Sequence, residues 1–115
     1  MDPLFLFKAL ADTTRLNTIL LITHQQELCV CELMEALDEN QPKISRHLAL
    51  LKKQQVLMDR REGQWVFYRL NPELPPWFTT MLNELIAQAT PIFIQTLARL
   101  DEMGDRPSRQ GQCCN

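Results

Sequence analysis

Between positions 41 and 69 a helical pattern with one cationic face runs directly into a basic two-strand pattern, and no other stretch limits the fold so tightly. Within 42–53, Ile44, Leu48 and Leu51 recur at i, i+4 and i+7, the spacing of a buried helical stripe. At 100° per residue, Pro42, Lys43, Arg46, Ala49 and Lys53 fall on the opposite side. Asn40 suits the N-cap, and Pro42 sits in the first turn, where its missing N–H costs nothing. Segments 56–60 and 64–70 then flank Arg61-Glu62-Gly63, with Trp65, Phe67 and Arg69 alternating against Val66, Tyr68 and Leu70. This period of two, with Gly63 able to take a turn conformation, predicts a β-hairpin whose tip carries Arg60 and Arg61.

Charge singles out the same region. Residues 41–69 hold seven Lys or Arg against Asp59 and Glu62, a formal +5, while the rest of the chain carries −7. The overall −2 therefore hides a strong polarity. An acidic chain that gathers its positive charge on one helix–hairpin unit is suited to presenting that unit to a polyanion, and duplex DNA is the obvious one. A reading helix needs extended polar side chains at its leading end and cations for the phosphates. Gln41, Lys43, Ser45, Arg46 and His47 meet the first need, with Lys43 or Lys52 suited to phosphates and Arg60 and Arg61 reaching from the hairpin. His47 lies about 60° from the buried stripe, so a boundary position stands open beside a base contact. A solvated charged helix without a partner is the plainer alternative, and the concentrated charge weighs against it.

The flanking segments complete the architecture. Residues 1–11 read as a short apolar helix with Pro3 in its first turn, and Asp12 or Thr13 caps a second helix carrying Leu16, Ile19, Leu20 and Thr23. A third short helix starts near Val30 or Cys31 and ends at the turn 38–41. Two helices across a tight turn, the second cationic on its free face, match helix-turn-helix geometry. Residues 76–100 form a long apolar-striped segment that Pro91 must kink or break, with Thr90 free to recap the second part. Its apolar surface exceeds what a 115-residue domain can cover by itself, which points to a homodimer. The fold class is thus mainly α with a β-hairpin: a winged helix-turn-helix with flanking dimerisation helices over 1–103, and a flexible Cys-containing tail over 104–115. No apolar run approaches the ~20 residues of a membrane span, and no secretory signal stands at the N-terminus. A cytoplasmic protein is expected.

The cysteines fall as Cys29-Val30-Cys31 and Cys113-Cys114. The apolar content suffices for a core without disulfide staples, so reduced thiols doing chemistry are the better reading. Cys29 and Cys31 would diverge inside a continuous helix but can converge at a frayed helix start, where the amino end favours thiolate. Soft ions such as trivalent arsenic or antimony take three sulfurs in a pyramid, and two thiolates leave that shell one short. As a bare pattern Cys-x-Cys remains open between ligation and incidental thiols. Its place immediately before the helix-turn-helix gives a bound ion leverage over the reading helix.

Several stretches resemble the arsenical-resistance repressors of the ArsR/SmtB family of winged-helix metalloregulators. They are Asp12-x-x-Arg15-Leu16, the seven residues from Glu27 to Leu33, the eleven from Gln41 to Leu51, and Gly63-x-Trp65-Val66-x-Tyr68-Arg69-Leu70. The resemblance implies a homodimeric repressor, not an enzyme, bound to an operator overlapping its own promoter and released when As(III) or Sb(III) binds thiolates ahead of the reading helix. The family's best-known inducer motif is Cys-Val-Cys-x-x-Cys; here Cys29 and Cys31 match, but the third position is Met34. A thioether cannot become a thiolate. An exogenous third ligand, a tail cysteine (Cys113 or Cys114) or a different inducer each accommodates this departure. An incidental pair is the equal alternative for the tail. A thiol-oxidation sensor on the same fold and a small thiol-redox or metal-transfer protein are the remaining alternatives, the second poorly matched to the charge map.

Overall fold

The computed structural model describes residues 1–104, so Cys113, Cys114 and nearly all of the expected tail lie outside the described residues. Six helices and three strands follow in the order α1 (Pro3–Leu10), α2 (Thr13–Gln25), β1 (Leu28–Cys29), α3 (Val30–Leu37), α4 (Gln41–Lys53), β2 (Leu57–Glu62), β3 (Trp65–Leu70), α5 (Pro76–Ala87) and α6 (Pro91–Glu102). This is the mainly helical, winged helix-turn-helix architecture that the sequence predicts.

Local chemistry accounts for the boundaries. Asp12 Oδ2 accepts the Arg15 backbone N–H at 3.0 Å to open α2, and Asn40 Oδ1 accepts that of Lys43 at 3.0 Å to open α4. The α4 carboxyl end closes in a Schellman arrangement, with the N–H groups of Gln55 and Val56 donating to the carbonyls of Lys52 and Leu51 at 3.0 Å each. That places Gln55 in the left-handed region at φ +62°. Between α5 and α6 the chain breaks at Gln88-Ala89-Thr90, as Pro91 requires, with Ala89 at φ +51°. Thr90 occupies the cap position but makes no side-chain cap bond; its carbonyl accepts the Ile94 N–H instead.

The core is built on α2, whose Ile19, Leu20, Leu21 and Ile22 are all buried, and on the α4 stripe of Ile44, Leu48 and Leu51. Phe78 and Leu82 from α5 and Phe93 and Leu100 from α6 fill it from the other side. Much of the apolar stripe over 76–100 is thus covered within the chain, with α6 packed against α3 and α2. What stays exposed is narrower: Leu4, Phe5 and Phe7 of α1, Trp77 of α5, and Ile92 and Ile94 of α6. Phe7 and Trp77 meet at 5.6 Å between ring centroids with their planes tilted by 45°, joining two of these elements into one patch.

Two features depart from the sequence reading. The first hairpin strand runs two residues further than expected and the second starts one residue later; they pair from Leu57↔Leu70 to Glu62↔Trp65, so the turn is Gly63-Gln64, and Arg60 and Arg61 lie within β2 rather than at the tip. A two-residue turn with glycine at φ +62° in its first position keeps the ladder intact to the end. A third strand also appears: β1 pairs antiparallel with β3 through Leu28↔Tyr68 and Cys29↔Phe67, giving a sheet ordered β1-β3-β2. No helix among the described residues is long and apolar enough to cross a membrane.

Candidate inducer and nucleic-acid site

Cys29 is at once the last residue of a strand and the N-cap of a helix. Its backbone N–H donates to Glu32 Oε1 at 2.9 Å, and its sulfur faces the Glu32 backbone N–H in a capping-box arrangement. Glu32 is fully buried and Cys29 nearly so at 2 % exposure, whereas Cys31, one residue into α3, is half-buried. Both carry thiols outside any disulfide. The strand-to-helix transition lets the two residues line one cavity, which a continuous helix would forbid. Cys29 caps α3 and Cys31 stands in its first turn.

That cavity, about 310 Å³, is lined by Cys29, Val30, Cys31 and Met34, by Gln41, and by Gln64, Trp65 and Val66. It therefore has three walls: the start of α3, the first residue of α4, and the wing. Met34, in the motif's third position, contributes to the wall while also packing on the core. Among the described residues no three His, Cys, Asp or Glu side chains gather into a metal site. The donor set among the described residues is thus two thiols with a thioether beside them, which fits a soft trivalent ion needing one further ligand and not a hard cation.

The cationic surface divides into paired and unpaired side chains. Lys43 Nζ bonds Glu39 at 3.0 Å and Lys52 Nζ bonds Asp59 at 2.9 Å. Arg60 is engaged most fully, with 2.6 Å and 2.7 Å contacts to Glu27, 2.8 Å to Glu62, and its guanidinium 4.8 Å from the Phe67 ring centroid. Arg46, Arg61, Lys53 and Arg69 are exposed and make no ion pair among the described residues. Gln41 is exposed at the leading end of α4, and Ser45 is half-exposed one turn on. His47 turns inward, with 13 % of its side chain accessible and Nε2 3.8 Å from Asp12 Oδ2. Burial holds its pKa below the ordinary 6.5 in spite of the carboxylate, and the neighbouring Arg15, Arg46 and Lys43 push the same way.

Sequence reasoning does not find β1, the Glu32 cap or the wing's share of the cavity. A two-residue strand shows no period, and Gln41 and Trp65 stand far from Cys29 in the chain. Glu32 three residues after Cys29 is a capping-box spacing, the one signal that points to it.

The arsenic resistance transcriptional regulator ArsR2 of Pseudomonas putida is 51% identical over 114 residues, covering 99% of both chains. The arsenical resistance operon repressor of Escherichia coli K12 is 47% identical over 106 residues, covering 90% of this chain and 91% of that one. Among solved structures, the AntR antimony-specific transcriptional repressor superposes with a TM-score of 0.62 at 30% identity, over 75% of this chain and 78% of the other. Residues 12–57, from the Asp12 cap through the cysteine pair and α4 to the first residue of the wing, match the model of the bacterial regulatory proteins of the arsR family. With near-complete coverage at half identity and the helix-turn-helix in place, the chain belongs to the arsR family of bacterial regulators.

Proposed function

We propose that this chain is a metalloid-responsive transcriptional repressor that binds operator DNA as a homodimer and lets go when As(III) or Sb(III) is held by the thiolates of Cys29 and Cys31. The observation that carries this reading is the shared cavity, since its walls are the cysteine pair, the first residue of the reading helix and the wing. A ligand drawing the two sulfurs together moves groups in contact with both DNA-facing elements. Two half-site helices in a dimer must keep a fixed separation, so a small tilt in each weakens binding.

In this reading Gln41, Ser45 and Arg46 face base edges, while Lys43, Lys52 and Arg61 meet phosphates. Arg60 serves the duplex only by exchanging Glu27 and Glu62 for phosphate oxygens. His47 acts from the boundary of α4, against Asp12. Cys113 and Cys114 are candidates for the third sulfur, and a chain ending at Gly111 separates their contribution. The exposed patch of α1, α5 and α6 is assigned to the partner protomer.

A mobility-shift titration of the promoter fragment upstream of the protein's own gene tests the reading. Arsenite is expected to release the wild-type protein and to leave a Cys29→Ser, Cys31→Ser variant bound. Equal release of both proteins would remove these cysteines from the mechanism, and release by peroxide but not arsenite would convert the site to an oxidation sensor.

A further inference from the structure

The order β1-β3-β2 puts Arg60 and the cysteine-bearing strand on opposite edges of the sheet, yet one ion pair spans it. Arg60 pairs with Phe67, and Phe67 with Cys29, so the three form a row across the strands. The Arg60 guanidinium sits over the Phe67 ring, 4.8 Å from its centroid, and reaches Glu27, the residue before β1. Nε and Nη2 donate to the two different oxygens of Glu27 at 2.7 Å and 2.6 Å, while Nη1 donates to Glu62 at 2.8 Å.

An isolated exposed ion pair contributes little. This one differs in two respects. Its two parallel, charge-assisted bonds form a fork, the geometry that a guanidinium offers to carboxylate and phosphate alike. The Glu27 side chain is also only 18 % accessible, against 65 % for that of Glu62, so Glu27 is the better-shielded partner. Its oxygens thus occupy the place that two phosphate oxygens would take. Arg61, the next residue, is exposed and makes no ion pair among the described residues. The wing therefore presents one cation ready for a polyanion and one already engaged.

We propose that Glu27 is an affinity-setting residue of the operator face, an internal competitor with DNA phosphate for the Arg60 guanidinium. This rests on the operator-binding reading above. When Arg60 turns to a phosphate, the duplex loses a counterion, but the Glu27 carboxylate is left without its fork beside a polyanion. The second effect offsets the first. Neutralising Glu27 therefore strengthens operator binding, whereas a residue that merely held the wing in place would weaken it when changed. The sign of the effect separates the two roles.

The test is fluorescence anisotropy of the labelled promoter fragment upstream of the protein's own gene, titrated with the reduced full-length chain over a range of KCl concentrations. The proteins compared are the wild type, Glu27→Gln, Arg60→Ala and the double variant. Glu27→Gln is expected to bind about three- to fivefold more tightly for each protomer seated, the scale of a well-formed surface ion pair. Its log–log salt slope should steepen by up to about 1 per protomer, and the gain should vanish in the double variant. Weaker or unchanged binding by Glu27→Gln, or a gain that survives Arg60→Ala, would overturn the assignment. Should Glu27→Gln not fold, the Arg60 Nε–H resonance of the wild type decides, assigned against Arg60→Lys. It should move when operator duplex is added, and a resonance that stays in place would overturn the assignment. If the wild type ignores the fragment even at low salt, the operator-binding reading itself fails; if it binds with no role for Glu27, only this inference fails.

Discussion

Asp12 and His47 meet 3.8 Å apart where the start of α2 touches α4, and both have pKa values displaced downward in the fold. The Arg15 backbone N–H holds the Asp12 carboxyl below its ordinary 3.8, with the charge of His47 assisting. Burial lowers His47 below 6.5. In each case the unfolded chain takes up its proton at higher pH than the folded one. Stability is therefore complete above the unfolded value and is lost as pH falls through the folded one. Of these two groups, His47 is the one whose ordinary value of 6.5 lies between pH 7.5 and 5.5. Urea denaturation should show the wild type losing stability over that interval and His47→Gln losing less. Leu48 offers a plainer case: it is 1 % exposed in the α4 stripe, and Leu48→Ala should cost about 2–5 kcal/mol in the same assay.

At the scale of elements, the α4 carboxyl end holds strain that can be removed. Gln55 carries the left-handed conformation of a Schellman cap without being glycine, while Leu51 and Val56 supply the buried apolar pair beneath it. Gln55→Gly should stabilise the protein by about 0.5–1 kcal/mol, read as a rise in the denaturation midpoint. Elements with a period are legible in the sequence. Ile44, Leu48 and Leu51 predicted the buried face of α4, and the alternation from Trp65 to Leu70 predicted the second wing strand. The turn was misplaced by charge: Arg61-Glu62-Gly63 reads as a polar loop, yet hydrogen bonding carries β2 through Glu62. Strand β1 was invisible because two residues have no pattern, and it exists only through its pairing with Tyr68 and Phe67. The cysteine pair is legible as a candidate site, but its cavity is not, because Gln41 and Trp65 reach it only through tertiary packing.

At the scale of the molecule, two surfaces divide the work. The exposed patch of Leu4, Phe5, Phe7 and Trp77 is the surface assigned to the second protomer. Phe7→Glu should shift sedimentation equilibrium from dimer toward the 13.4 kDa monomer and weaken operator binding in parallel. The cationic face should make operator affinity fall steeply with salt. Removing one phosphate contact, as in Arg61→Ala, should reduce the log–log slope by about 1.

In the proposed mechanism, ligand at Cys29 and Cys31 and operator at α4 and the wing compete through shared structure. Coupling of that kind is reciprocal: the factor by which arsenite weakens operator binding must equal the factor by which operator weakens arsenite binding. The most direct measurement is arsenite affinity of the reduced protein, free and saturated with operator duplex. A drop of more than about tenfold on the duplex, matching the loss of operator affinity caused by arsenite, is the predicted result. Arsenite binding the operator-bound protein as tightly as the free one would contradict it.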